Sequence, residues 1–219
     1  MARPARFTTD QFLDAAVRKA AAAGPTAVTM SAVAAEVGAP SGSAYHRFAG
    51  RTELLAQTWL RTVETFQASY LAACETVGDD PAQAARGTAR QVVAWSRAHP
   101  EQVAVLLHGA DAFDRAHWPE PHRRRAEAGN QRVHAALAAL AAALDLRGPE
   151  AADRVTLALV DLPLALVRRH LRGGTPLPAH AEDLAEQGAA ALLCGRFPSP
   201  ASPAGAERAQ DATSHRPVR

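Results

Sequence analysis

The sequence predicts an all-α protein of about nine helices. Alanine-rich stretches such as Ala20–Ala23 and Ala138–Ala143 occur with few β-branched runs, a composition that favours helix. Apolar residues recur at helical spacing, as at Phe12, Ala16, Ala20 and Ala23. Nothing alternates with the period of a strand, and no internal repeat is present.

The first helix starts at a capping box, with Thr8 as N-cap and Gln11 three residues on, and Phe7 and Phe12 stand at the positions of a hydrophobic staple. Leu13 and Val17 widen its apolar face, and Gly24-Pro25 ends it. A second, short helix follows Thr29 as N-cap, carries Val33 and Val37 one turn apart, and stops at Gly38. A third begins near Pro40, whose fixed φ suits a first helical position, and runs through Tyr45 to Phe48. The fourth follows Ala49-Gly50 and continues to about Cys74, burying Leu54, Leu55, Trp59, Val63 and Phe66. Further helices are expected at about 81–98, 100–114, 120–145, 149–172 and 179–195, each separated from the next by proline or glycine. After Phe197 the chain turns to Pro, Ser and Ala with scattered charge, a composition expected to stay disordered. The expected organisation is a three-helix unit at 1–50, a larger helical domain at 51–197 and a tail at 198–219.

At 219 residues, 47% hydrophobic and 21% charged, the chain has ample material for a core. No apolar run approaches the roughly 20 residues needed to cross a bilayer, and Met1–Asp10 has no signal-peptide core, so a cytoplasmic location is expected. Cys74 and Cys194 offer neither a disulfide framework nor zinc spacing, and neither has a basic sequence neighbour that would mark a redox sensor. A net charge of +2 excludes a polycation that coats nucleic acid, so only local basic groups matter.

Two short helices joined by the Gly38-Ala39-Pro40 corner form a helix-turn-helix candidate, whose second helix would enter the major groove. Gly42 and Ser43 on its first turn allow close approach to a DNA backbone. Tyr45, His46 and Arg47 offer a phenol, an imidazole and a guanidinium to phosphates or base edges. Arg51 and Thr29, at the starts of neighbouring helices, are candidate phosphate contacts. Phe48 reads as core, and Tyr45 as a ring packed inward with its hydroxyl at the DNA.

From about Phe12 to Trp59 the sequence resembles the DNA-binding domain of TetR-type (TetR/AcrR-like) helix-turn-helix transcriptional regulators. The matching run is Phe12-Leu13-Asp14-Ala15-Ala16, Gly24, Val28-Thr29-Met30, Val33-Ala34 and Val37-Gly38, then Gly42-Ser43-Ala44-Tyr45-His46-Arg47-Phe48 and Arg51-Thr52-Glu53-Leu54-Leu55. The resemblance implies that Gly42, Ser43, Tyr45 and His46 meet an operator, that Thr29 and Arg51 hold phosphates, and that Arg3 and Arg6 on an N-terminal arm add a contact. Where the family commonly caps the recognition helix with serine or threonine, this chain has Pro40, and Ser41 is the alternative.

The same resemblance implies an effector-binding and dimerisation domain beyond the fourth helix. The densely apolar stretch Val155–Leu171 and the small-residue run Gly188–Leu193 suit a four-helix interface between two copies, through helices near 149–172 and 179–195. Candidate pocket residues, taken from apolar faces of the middle helices, are Trp95, Leu106, His108, Phe113, Trp118, His134 and Leu162, with Pro163 kinking its helix to open space nearby. The expected function is a repressor released from a palindromic operator by a small-molecule effector of unspecified identity. No cofactor is expected. His108, Asp111, Asp114, His117 and His122 suggest metal ligands, yet only 108/111 and 111/114 fall on one helix face. The sequence has no Ser-His-Asp pattern, phosphate-binding glycine loop or HExxH, so no enzyme is expected. The remaining alternative, an architectural DNA-binding module, would show little discrimination between target and random duplex.

Overall fold

The computed structural model describes residues 7–75 and 80–194. Within them the chain is helical, with no strand. The helices are α1 (Thr9–Ala23), α2 (Met30–Val37), α3 (Gly42–Tyr45), α4 (Arg51–Glu75), α5 (Pro81–Ala98), α6 (Pro100–His108) and α7 (Glu120–Ala143), then α8 (Ala151–Thr156), α9 (Leu162–Arg172) and α10 (Ala181–Cys194). A π-helical turn, Leu157–Asp161, joins α8 to α9 in one continuous rod. The N-terminal arm with Arg3 and Arg6 and the tail after Phe197 lie outside the described residues.

Local chemistry sets the boundaries. Thr8 Oγ1 accepts from Gln11 N at 3.3 Å, and Thr8 N donates to Gln11 Oε1 at 2.8 Å, closing the capping box of α1. Thr29 Oγ1 accepts from Ala32 N at 3.1 Å and caps α2. At the other end of α2, Gly38 (φ 73°) takes the left-handed conformation, and Gly38 N–H and Ala39 N–H return to the carbonyls of Ala35 and Ala34. Pro40 and Ser41 precede α3 without a side-chain cap, so α3 is a single turn. The helix expected at 100–114 instead ends at His108. Gly109 (φ 79°) turns the chain, and two 3₁₀ turns, Ala110–Phe113 and Arg115–His117, aim Phe113 and Trp118 inward.

The side chains pack into two cores. The first gathers Phe12, Val28, Val33, Ala44 and Phe48 from α1–α3 with Leu54, Leu55 and Leu60 of α4, Val105 of α6, and Phe113 and Trp118. It therefore continues across position 50, where sequence placed a boundary. The second gathers Tyr70, Val92, Val93, Trp95, Leu137, Leu159 and Val167 with the small face of α10, Ala181, Ala185 and Ala189. Alanines let α10 lie close along α5. Arg97 on α5 clamps the start of α10, pairing with both Glu182 carboxylate oxygens (2.7 and 2.6 Å) and donating to the carbonyls of Leu177 and Pro178.

Phe48 is 1% exposed and meets Phe12 edge-on at 6.3 Å between ring centroids. Replacing it with alanine, Phe48→Ala, is expected to cost about 3–5 kcal/mol, measured as a lowered urea midpoint at unchanged slope.

Candidate nucleic-acid interface and ligand cavity

The helix α3 has two unlike faces. Ala44 and Phe48 are buried beneath it, whereas Ser41, Gly42, Tyr45 and His46 face outward and Ser43 is half-buried. Tyr45 is 63% exposed, so its ring is not packed inward as the sequence suggested. Phe48 fills the space under the turn, and the ring of Tyr45 is left largely in solvent. Phe48 itself lies where sequence placed it.

The two arginines expected at the DNA, Arg47 at phosphates or base edges and Arg51 at a phosphate, hydrogen-bond to backbone carbonyls, with Arg51 still exposed. Arg47 stacks its guanidinium over the Phe12 ring, 5.1 Å from the centroid, and donates to the carbonyls of Ser43 (2.9 Å) and Phe7. Arg51 donates through Nε to Val28 O at 2.8 Å and through Nη2 to Pro25 O at 2.9 Å. It thereby anchors the 3₁₀ turn Pro25–Ala27, which leads into α2, to the start of α4. Thr29 spends its hydroxyl on capping α2 and on Ser31 Oγ at 3.3 Å. These three residues hold the two helices in register, and the outward groups they position are uncharged hydroxyls, a phenol and an imidazole.

Behind this unit lies a pair of polar contacts. Asp114, at φ 64°, accepts from Thr52 Oγ1 at 3.1 Å and pairs with His117 Nδ1 at 2.5 Å. The His117 hydrogen bond chiefly holds the Asp114 carboxyl below its ordinary value of 3.8, with the Thr52 hydroxyl adding to it against the opposing pull of desolvation. His108 is exposed and stands apart from this pair, beside Gly24. Among the described residues, no three His, Cys, Asp or Glu side chains gather to hold a metal.

A cavity of about 200 Å³ opens between α4, α7 and the π-turn. Its walls are Val63, Phe66, Val92, Val133, Val160 and Leu164, and its polar groups are Gln67, Tyr70, Asn130 and His134. Of the seven pocket residues named from sequence, only His134 lines it. Trp95 sits one layer behind, edge-on to Phe66 at 5.1 Å. Leu106 packs against the second core. Phe113 and Trp118 belong to the first core, where Trp118 Nε1 donates to Phe113 O at 2.7 Å and the indole rests 5.6 Å from that of Trp59. Leu162 points out of the bundle and lies across Gly188, where a Cβ would come within 2.4 Å of its Cδ2.

Pro163 explains the cavity's shape. It has no N–H to offer the Leu159 carbonyl four residues earlier, the ladder slips to π register with Leu162 N–H on Leu157 O, and Tyr70 OH donates to Leu159 O at 3.3 Å instead. Burial pushes the Tyr70 phenol far above its usual value, so it remains a donor. The sequence marked Pro163 and Phe66 but gave no sign that Gln67 and Tyr70 would meet α7 and the π-turn. Burial also raises the Cys74 thiol, which disfavours the thiolate a redox sensor needs.

Residues 12–58 match the family model of bacterial regulatory proteins, tetR family. The N-terminal unit is a tetR-family DNA-binding domain. No curated protein sequence matches the chain. Solved structures of similar fold include the TetR family regulator PfmR from Thermus thermophilus, at 19% identity and a TM-score of 0.65 over 89% of this chain and all (100%) of that one. A TetR-like regulator from a Rhodococcus species aligns at 21% identity and a TM-score of 0.67 over 89% of this chain and 100% of its own. FadR from Bacillus subtilis, solved in complex with stearoyl-CoA, aligns at 12% identity and a TM-score of 0.65, covering 87% and 100%. At these identities the likeness is one of fold, and it extends beyond the tetR-type domain to the larger helical part.

The Asp114 contact generates a pH signature. A carboxyl whose folded value is lowered stabilises the fold fully above its unfolded value and loses that contribution as pH falls through the folded one. The stability gap between the unaltered chain and Asp114→Asn is therefore expected to be fully present just above about pH 4 and to close below it, read from thermal melts between about pH 3 and 5.

Proposed function

We propose that this chain is a sequence-specific DNA-binding transcriptional regulator, a repressor that leaves a palindromic operator when a small-molecule effector binds. The observation that carries the reading is α3, whose buried side is anchored by Phe48 while Tyr45 stands 63% exposed at the outer face of a tetR-type domain. An exposed aromatic ring on a helix held this firmly is a group placed for a partner. Ser41, Gly42, Ser43, Tyr45 and His46 are assigned to the operator, with Thr29 at its edge. Arg47 and Arg51 are assigned to positioning, through Phe7, Pro25 and Val28.

Two copies are needed for a palindrome, with recognition helices about 34–36 Å apart. Leu157, Leu162 and Leu184, exposed by 47%, 36% and 46% on the π-turn, α9 and α10, support a homodimer through these helices. The cavity beside α4 supports effector binding, as does the stearoyl-CoA held by the Bacillus subtilis neighbour of the same fold. The effector acts by favouring a conformer whose recognition helices are spaced wrongly for DNA, a coupling of about 1–3 kcal/mol.

Selection from a random duplex library at moderate salt tests the reading. It is expected to enrich a palindrome preferred by roughly 10³–10⁷-fold over random DNA. Tyr45→Ala and His46→Ala should each lower that preference by about 1–3 kcal/mol without lowering the melting temperature. Retention of all sequences alike would refute it in favour of an architectural module. Leu184→Glu is expected to shift the protein from dimer to monomer in sedimentation and to weaken operator binding in parallel.

A further inference from the structure

The effector reading leaves open what kind of molecule the cavity takes, and its lining narrows the choice. No Lys, Arg, Asp or Glu is among the lining residues. A charged group drawn in would lose its hydration and meet no counter-charge, a cost far above that of a neutral polar group. Tyr70 is already committed to the Leu159 carbonyl, and His134 is exposed at the α7 surface. Gln67 is different. It is only 6% exposed, and among the described residues its amide makes one hydrogen bond, from Nε2 to Asn130 Oδ1 at 3.1 Å. An amide has two protons and a carbonyl oxygen to satisfy, so Gln67 retains an acceptor and a donor beside an apolar space. The chain also makes room for it. A Cβ on Gly129 of α7 would fall 2.4 Å from Gln67 Oε1, so a larger residue there would displace the amide from this position.

We propose that the cavity binds an uncharged, mainly apolar molecule carrying one amide, hydroxyl or carbonyl group that pairs with Gln67. About 200 Å³ accommodates on the order of ten non-hydrogen atoms. The apolar part lies along Val63, Phe66, Val160 and Leu164, and the polar group reaches the amide. The proposal rests on the effector reading, but its test reads binding alone and is separable from operator release.

Titration calorimetry of the full chain with octanamide, octanoate and octylammonium compares one apolar body with three head groups. Octanamide is expected to bind at least about tenfold more tightly than either ion. Gln67→Glu keeps the side chain's size and adds a charge, so it should weaken octanamide and make octylammonium the preferred ligand. Val160→Trp fills the cavity and should abolish binding of all three; should it fail to fold in a thermal melt, Gln67→Glu decides alone. The proposal is overturned if either ion binds the unaltered chain as tightly as octanamide, if none of the three binds, or if Gln67→Glu leaves the order unchanged. Operator affinity is measured separately with each compound. Release by octanoate alone would retain the effector reading and discard this ligand class, whereas tight octanamide binding with no compound altering operator affinity would do the reverse.

Discussion

A single helix, α4, has to close two hydrophobic cores, and its side chains change character where one core gives way to the other. Leu54, Leu55 and Leu60 complete the core of the DNA-binding unit, while Phe66 and Tyr70 belong to the second core. Between them Thr58 and Thr62 are fully buried, yet neither needs a partner from another element. Their hydroxyls donate to the carbonyls one turn back, Leu54 O at 2.6 Å and Thr58 O at 2.8 Å. The crossover is thus polar in composition and self-satisfied in hydrogen bonding. Trp118, pressed on Trp59 from the 3₁₀ turns, fixes the first half of α4 in the first core. A movement of α4 cannot be confined to either core.

This arrangement explains how the arginines near the recognition helix are used. A short α3 with no side-chain cap needs help to hold its orientation; Arg47 ties its Ser43 carbonyl to that of Phe7, and Arg51 ties the segment before α2 to the start of α4. Five-donor guanidiniums suit such work, since each bridges two acceptors in fixed geometry. What remains on the outer face is hydroxyls, a phenol and an imidazole, groups able to hydrogen-bond in defined directions. Glu36, held by Arg18 and Lys19 at 2.7 and 2.9 Å, likewise takes up charge that would otherwise lie free between α1 and α2.

The sequence was most legible where structure is local. Thr8 with Gln11, Thr29 and Gly38 each act within one turn, and each marks its helix end as expected. Phe48 was legible as core because helical spacing leaves it nowhere else to point. The direction of a long side chain was not legible. Arg51 meets carbonyls 23 and 26 residues away and Arg47 one 40 residues away, partners that no window of sequence joins. The cavity was hidden for the same reason. Phe113 and Trp118 have the composition of a pocket wall, but Gly109 turns them into the first core, and the actual wall is built by Gln67, Asn130 and Val160 from three separate elements. Besides His134, Pro163 was the readable sign, because a missing N–H has a fixed consequence four residues upstream.

That consequence joins the parts of the molecule. The rod of α8, the π-turn and α9 shows Val160 and Leu164 to the cavity, and exposes Leu157 and Leu162 on the side assigned to a second copy. An uninterrupted α-helix would satisfy the Leu159 carbonyl itself and owe nothing to its neighbours. With Pro163 in place, that carbonyl takes its hydrogen bond from Tyr70, so the rod is tied at its weakest point to α4. A molecule entering the cavity must settle between Tyr70, Val160 and Leu164, beside this bond. Any shift it forces is shared between the rod and α4. One bears the surface assigned above to a second copy, and the other carries the N-terminal helical unit at its far end. The same proline that weakens the helix thus ties the cavity wall both to the exposed leucines of the rod and, through Tyr70, to α4.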